Sequence, residues 1–198
     1  MKRVVQLVDG RTRTECDALL MRDVGADRLQ AIEDAWQHCR DKTLFASEAA
    51  VEWNWAMKKD AISNGALLLC ELTCDESPQG AMAVATSPRS SRLTQLSDAL
   101  YVEYLESAPW NIKKADRAIV PRYFGVGLVL MAEAVLISRH RGFEGRIGLH
   151  SLPDAEPFYR DKCRFTEIGP DDAEKGLVYF ECTHDQANAL LEITGQST

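Results

Sequence analysis

Arg122-Tyr123-Phe124-Gly125-Val126-Gly127 stands between a strand-like run and a stretch of helical period, and its reading decides the fold. The helix is read from Leu128, Met131, Ala132, Val135 and Ile137, with Arg139, His140 and Arg141 in the last turn and Gly142 as the stop. Cations there complement the negative end of the helix dipole, so the positive end points back at the glycines. Unpaired N–H groups at a helix start attract phosphate, and glycines let a ligand come close enough to use them. The spacing predicts a site for a phosphorylated cofactor.

Two phosphate motifs are excluded by spacing. A Walker A loop needs Lys-Ser/Thr after its last glycine, where this chain has Leu128 and Val129. The dinucleotide fingerprint needs Gly or Ala three residues after the second glycine, where Leu130 stands.

The stretch fits the signature Gln/Arg-x-x-Gly-x-Gly/Ala and resembles the pyrophosphate loop of the GNAT superfamily of N-acetyltransferases. Around it, Ala99-Leu100-Tyr101-Val102-Glu103-Tyr104-Leu105 looks like the central strand before that loop, and residues 145–152 like the strand after the helix. Phe158-Tyr159-Arg160-Asp161-Lys162-Cys163-Arg164-Phe165 is similar to the superfamily's Tyr-x-x-x-Gly-Phe helix end. The resemblance is clearest over residues 65–183. Departures accompany it: a long connection from Ile112 to Pro121, Arg164 in place of the glycine before Phe165, and one extra residue between Tyr159 and Phe165. The family's frequent Asn after the fifth strand is also missing, with His150 and Ser151 near that place.

Length suits one domain spanning 1–198, large enough to bury on the order of 70% of its unfolded surface. The six cysteines show no CxxC pair and the four histidines no ligand spacing, which points to reduced thiols, no metal and a cytoplasmic protein. Cys70 and Cys74 share one face of a strand and read as packed apolar groups. The N-terminus lacks the apolar core of a signal peptide, and no run approaches the ~20 apolar residues that span a bilayer. Net charge is −7, neither half is basic, and nucleic acid is disfavoured as a partner. Lys113, Lys114 and Arg117 form a small basic group, read either as a solvated face or as a contact for CoA phosphates.

Coarse patterning predicts short strands at Val4–Val8 and Ala18–Met21, a helix after Asp27 and a second helix from Ser47 to Ile62 ended by Asn64-Gly65. A longer-loop hairpin follows, with strands 66–74 and 80–86 around residues 75–79, then a loop over 87–91, a late strand at 177–183 and a frayed end over 192–198. Trp53 and Trp55 read mainly as core. The order implies a mixed α/β sheet with helices on both faces, and the resemblance implies splayed central strands.

What the resemblance implies for chemistry is direct attack of an amine on acetyl-CoA, with no metal. The cofactor would be held by Leu105 and by Arg122, Tyr123, Phe124, Gly125, Val126, Gly127 and Leu128, with pantetheine pairing near Glu103 to Glu106. Tyr159 is the candidate acid for the thiolate, with Tyr179 an outside candidate. Glu103 and Glu106 are candidate bases, on opposite faces if the strand is regular. His150 is their rival and a candidate acceptor contact. Trp110 and Asn111 either edge the acceptor pocket or simply make a turn. The acceptor is expected to be an amine-bearing small molecule or a protein amine, drawn by Glu103, Glu106 and Asp116, with no membrane partner; a homodimer is left open. A non-catalytic CoA-binding module on the same fold is the competing account.

Overall fold

The structure, a computed structural model, describes residues 1–40, 54–112 and 120–196. Its strands are β1 (Lys2–Asp9), β2 (Glu15–Arg22), β3 (Leu67–Cys74), β4 (Ser77–Ala85), β5 (Arg89–Ser90), β6 (Asp98–Ser107), β7 (Tyr123–Phe124), β8 (Ile147–Ser151), β9 (Thr166–Asp171) and β10 (Leu177–Cys182). Its helices are α1 (Arg28–Arg40), α2 (Lys59–Ser63), α3 (Val126–His140) and α4 (His184–Ile193). The chain divides into two compact units, Met1–Ala83 with Tyr104–Leu130 and Val84–Glu103 with Met131–Thr198.

In the first unit the strand order is β7-β1-β2-β3-β4-β6. Leu29, Ile32 and Trp36 recur along one face of α1 and bury completely or nearly so with Trp55, Leu69, Ala81, Ala83 and Ala108. Each buried Leu or Ile side chain among them contributes about 1.5–3 kcal/mol on leaving water. The indoles keep their polar ends satisfied: Trp36 Nε1 donates to Pro78 O at 2.9 Å and Trp55 Nε1 to Glu106 Oε2 at 2.6 Å. Trp55 is therefore core, as its sequence suggests, while Trp53 lies outside the described residues. Cys70 and Cys74 are buried on β3.

In the second unit the order is β6-β8-β10-β9. The β6–β8 pair is parallel and β8–β10 and β10–β9 are antiparallel, which makes the sheet mixed. The β6–β8 ladder ends at Tyr101↔Gly148 although within this unit β6 runs on to Glu103 and β8 to Ser151, so the two strands part beyond that rung. Ala187, Leu190 and Leu191 bury one face of α4, and Thr183 with Gln186 closes a capping box at its start.

Several sequence expectations are corrected. The 75–79 hairpin loop is a two-residue turn, with Asp75 and Glu76 both at positive φ (49° and 58°), the geometry whose twist suits a tight hairpin. Ser77, Pro78 and Gln79 belong to β4. The 87–91 loop contains β5, which pairs Arg89 with Ala99 of β6. Patterning missed β7, β9 and α4, and the predicted second helix is described only from Asn54, as a 3-10 turn (Ala56–Lys58) followed by α2. Lys113, Lys114, Asp116 and Arg117 lie outside the described residues.

Candidate active site

Every described part of the anion loop lies in the first unit, and the loop is braced on three sides. Just after β1, the Gly10 N–H donates to Arg122 O at 2.8 Å, an approach so close that a Cβ on Gly10 would stand 1.7 Å from Pro121 O. From the 3-10 turn Pro109–Asn111, Trp110 O accepts from the Arg122 N–H at 3.1 Å and Asn111 Oδ1 from the Tyr123 N–H at 2.9 Å. From the β3–β4 turn, Asp75 Oδ2 accepts from the Tyr123 hydroxyl at 2.5 Å and from Arg122 at 3.1 Å. The Tyr123 bond, ahead of Arg122, holds the Asp75 carboxyl below its usual range, and burial with that same bond pushes the Tyr123 phenol up.

Gly125 has φ of 92° and its carbonyl accepts from the Val129 N–H at 2.9 Å, so it caps α3 in a conformation that favours glycine. The N–H groups of Val126, Gly127 and Leu128 then open the helix without an acceptor of their own within it, as helix starts dictate. The loop is thus braced at the positive end of the α3 dipole, and Arg139 and His140 stand in the helix's last turn.

Trp110 and Asn111 make that turn, and their polar groups are engaged by the protein. Trp110 Nε1 donates to Gln79 Oε1 at 2.8 Å, and Asn111 Nδ2 donates to Gln79 Oε1 at 3.0 Å and Gln79 O at 3.3 Å. Gln79 is fully buried. Asn111 thus links β4 to the loop. Sequence reading missed Gln79, Asp75 and Gly10, whose roles depend on partners about 30 or more residues away. Leu105 and Glu106 lie on the first unit's part of β6, where Glu106 accepts from Trp55 and the Lys58 ammonium lies 4.0 Å from the Tyr104 ring centroid.

In the second unit Tyr159 lies in a π-helical turn, Phe158–Lys162, closed by a bond from the Cys163 N–H to Phe158 O at 3.0 Å. A π turn takes up one more residue than an α turn. It houses the extra residue between Tyr159 and Phe165, and the Phe165 N–H returns to Tyr159 O at 3.0 Å. Arg164, at the position where the resemblance implies a glycine, has φ of 58° and so takes up a conformation that glycine favours. Tyr159 is buried, its ring 5.8 Å from that of Phe180, and burial raises its phenol well above the usual value. Its hydroxyl has no hydrogen-bond partner among the described residues.

Glu103 pairs with Arg89 at 3.7 Å. His150 faces Tyr101, whose hydroxyl is 2.6 Å from Nδ1, and Asp171, 3.1 Å from Nε2. Tyr179 packs its ring 4.8 Å from the imidazole and donates to the buried Glu181 at 3.3 Å. Among the described residues no group of three or more His, Cys, Asp or Glu is placed to hold a metal, and no helix is long and apolar enough to cross a membrane.

No family model matches the chain, and no curated protein matches its sequence. Solved structures do match its fold. A bacterial toxin aligns with TM-score 0.61 at 13% identity, over 88% of this chain and 95% of the other. A GNAT-family acetyltransferase, described as putative, from Desulfovibrio desulfuricans aligns with TM-score 0.55 at 13% identity, over 84% and 99%. A mutant of the AtaT toxin, bound to the C-terminus of the antitoxin AtaR and acetyl-CoA, aligns with TM-score 0.55 at 12% identity, over 87% and 98%. The chain has the GNAT acetyltransferase fold.

Proposed function

We propose that this protein is a cytoplasmic N-acetyltransferase that moves the acetyl group of acetyl-CoA to a primary amine by direct attack, and that residues 1–198 act as one catalytic domain. The observation that carries the reading is the cradle at the start of α3, where Gly125 and Gly127 expose helix N–H groups and Asn111, Asp75 and Gly10 fix the loop behind them. Residues 122–128 would hold the CoA pyrophosphate. Backbone groups of β6, Leu105 included, would serve the pantetheine amides and the thioester carbonyl.

Tyr159 would donate its proton to the departing thiolate. Burial keeps the hydroxyl protonated at neutral pH, as that role requires. The π turn and the positive φ of Arg164 accommodate the two departures nearest Tyr159, which favours the catalytic reading over a CoA-binding module without chemistry. Glu103 and Glu106 would supply negative charge that draws a cationic acceptor, a small molecule or a protein amine.

The test is thiol release from acetyl-CoA with a panel of polyamines and lysine peptides, with CoA affinity measured by calorimetry. Binding without turnover across the panel would favour the non-catalytic module.

A further inference from the structure

Tyr101, His150 and Asp171 form a hydrogen-bonded chain across β6, β8 and β9, entirely within the second unit. The His150 side chain is 3% exposed and Tyr101 5%. Asp171 is held as a carboxylate by the Arg92 guanidinium first and by His150 second, with its pKa lowered to about 2. A carboxylate only accepts hydrogen bonds, so His150 Nε2 must carry the proton in that bond. In the neutral form of the ring Nδ1 is then the lone-pair nitrogen, and the Tyr101 hydroxyl donates to it. The groups facing the imidazole are Tyr101 from β6, Tyr179 from β10, and Asp171 with its partner Arg92.

The chain lies at the end of the paired part of β6 and β8. Along β10, Tyr179 packs on His150 while the next residue, Phe180, packs on Tyr159. Successive strand residues point to opposite faces, so His150 and Tyr159 lie on opposite faces of this sheet. The relay and the candidate acid Tyr159 therefore share no residue. Tyr101 also occupies the last rung of the β6–β8 ladder, where the strands part. The two carboxylates nearest in sequence are already engaged, Glu103 by Arg89 and Glu106 by the indole of Trp55.

We propose, building on the acetyl-transfer reading above, that Tyr101, His150 and Asp171 are the path by which the acceptor amine loses its proton. The amine lone pair forms the C–N bond and the C–S bond breaks, the thiolate taking its proton from Tyr159. One N–H bond of the amine breaks and its proton goes to the Tyr101 oxygen, directly or through one water, as the original phenolic proton passes to His150 Nδ1. Tyr101 ends neutral, Tyr159 is left as the phenolate, and the positive charge rests on an imidazolium beside the Asp171 carboxylate; loss of a proton from His150 to water and gain of one by Tyr159 from water restore both groups. Tyr101 is the catalytic group; His150 acts through it, and Asp171 positions the ring.

Steady-state thiol release from acetyl-CoA with spermidine or a lysine peptide, measured across pH, tests the relay in wild type and in Tyr101→Phe, His150→Gln and Asp171→Asn. Tyr101→Phe and His150→Gln are each expected to lower kcat about 10²-fold, within the usual range for general base catalysis, with CoA affinity unchanged. His150→Gln should also lose the acid limb that an imidazole base imposes on the rate, and Asp171→Asn should lower kcat while His150 stays in place. A merely structural role would lower thermal stability and leave the shape of the pH profile intact. Nitrogen-15 NMR of the wild-type ring reads the tautomer independently, and a protonated Nδ1 with a bare Nε2 would overturn the proposal. So would a wild-type rate and pH profile in His150→Gln, an outcome that leaves acetyl transfer standing. Absence of thiol release by the wild-type protein with every amine would instead remove acetyl transfer, and the relay with it.

Discussion

The Tyr123 hydroxyl lies 2.5 Å from Asp75 Oδ2, a bond that ties the loop before α3 to the β3–β4 turn. The same carboxylate holds Arg122, so one turn residue secures two loop residues. Asp75→Ala should release both, weaken CoA binding and leave the far-UV circular dichroism of the protein unchanged. Calorimetry on the folded variant checks it; unaltered affinity would show that Gly10 and Asn111 suffice to brace the loop.

Gly127→Val should also weaken CoA binding, because a branched side chain at the second glycine blocks ligand approach to the N–H groups that open α3. Retained affinity in calorimetry would mean that the loop does not hold the cofactor.

Tyr159→Phe should bind CoA as the wild type does and lose turnover by ~10²–10⁴-fold, the usual weight of a general acid. Unchanged turnover with the best acceptor would move the acid role to Tyr179, whose hydroxyl bonds to Glu181.

Stability should change at both ends of the pH scale. Asp171 has its folded pKa lowered from 3.8 to about 2, so the stability it adds is present above the unfolded value and is lost as pH falls through that window. Tyr101 has its pKa raised from 10.0 to about 12, chiefly by burial, so its contribution is present below 10 and is lost as pH rises toward 12. Thermal melts of Asp171→Asn should show a shallower acid decline, and those of Tyr101→Phe a shallower alkaline one. Parallel curves for variant and wild type would remove these groups from the linkage.

Acceptor capture should weaken as salt is added, and cationic amines should outperform neutral ones, since Glu103 and Glu106 supply negative charge on β6. A salt series of kcat/KM for spermidine against a neutral amine decides it. Salt-independent capture would show that charge does not select the acceptor.

The parts of the fold legible in the sequence are those set by local period and punctuation. The helix of residues 126–140 announces itself through apolar spacing and cationic last-turn residues, and β6 through its apolar run. β7 was hidden because two residues carry no period; it exists only because Tyr123 and Phe124 meet Asp9 and Val8. α4 had a readable signal in Thr183 and Gln186, the ends of a capping box. The tight hairpin was obscured because Asp75 and Glu76 take the positive φ usually given to Asn and Gly. In the candidate site, the glycine loop was legible and its supports were not. Gln79, Asp75 and Gly10 look like ordinary strand and turn residues until the chain closes on itself.

The π turn at Phe158–Lys162 has a consequence for how this segment tolerates change. It takes up one surplus residue, while Arg164 adopts the backbone region that glycine favours without being glycine. Length and residue type are both absorbed within a single turn, and the Phe165 N–H still reaches Tyr159 O.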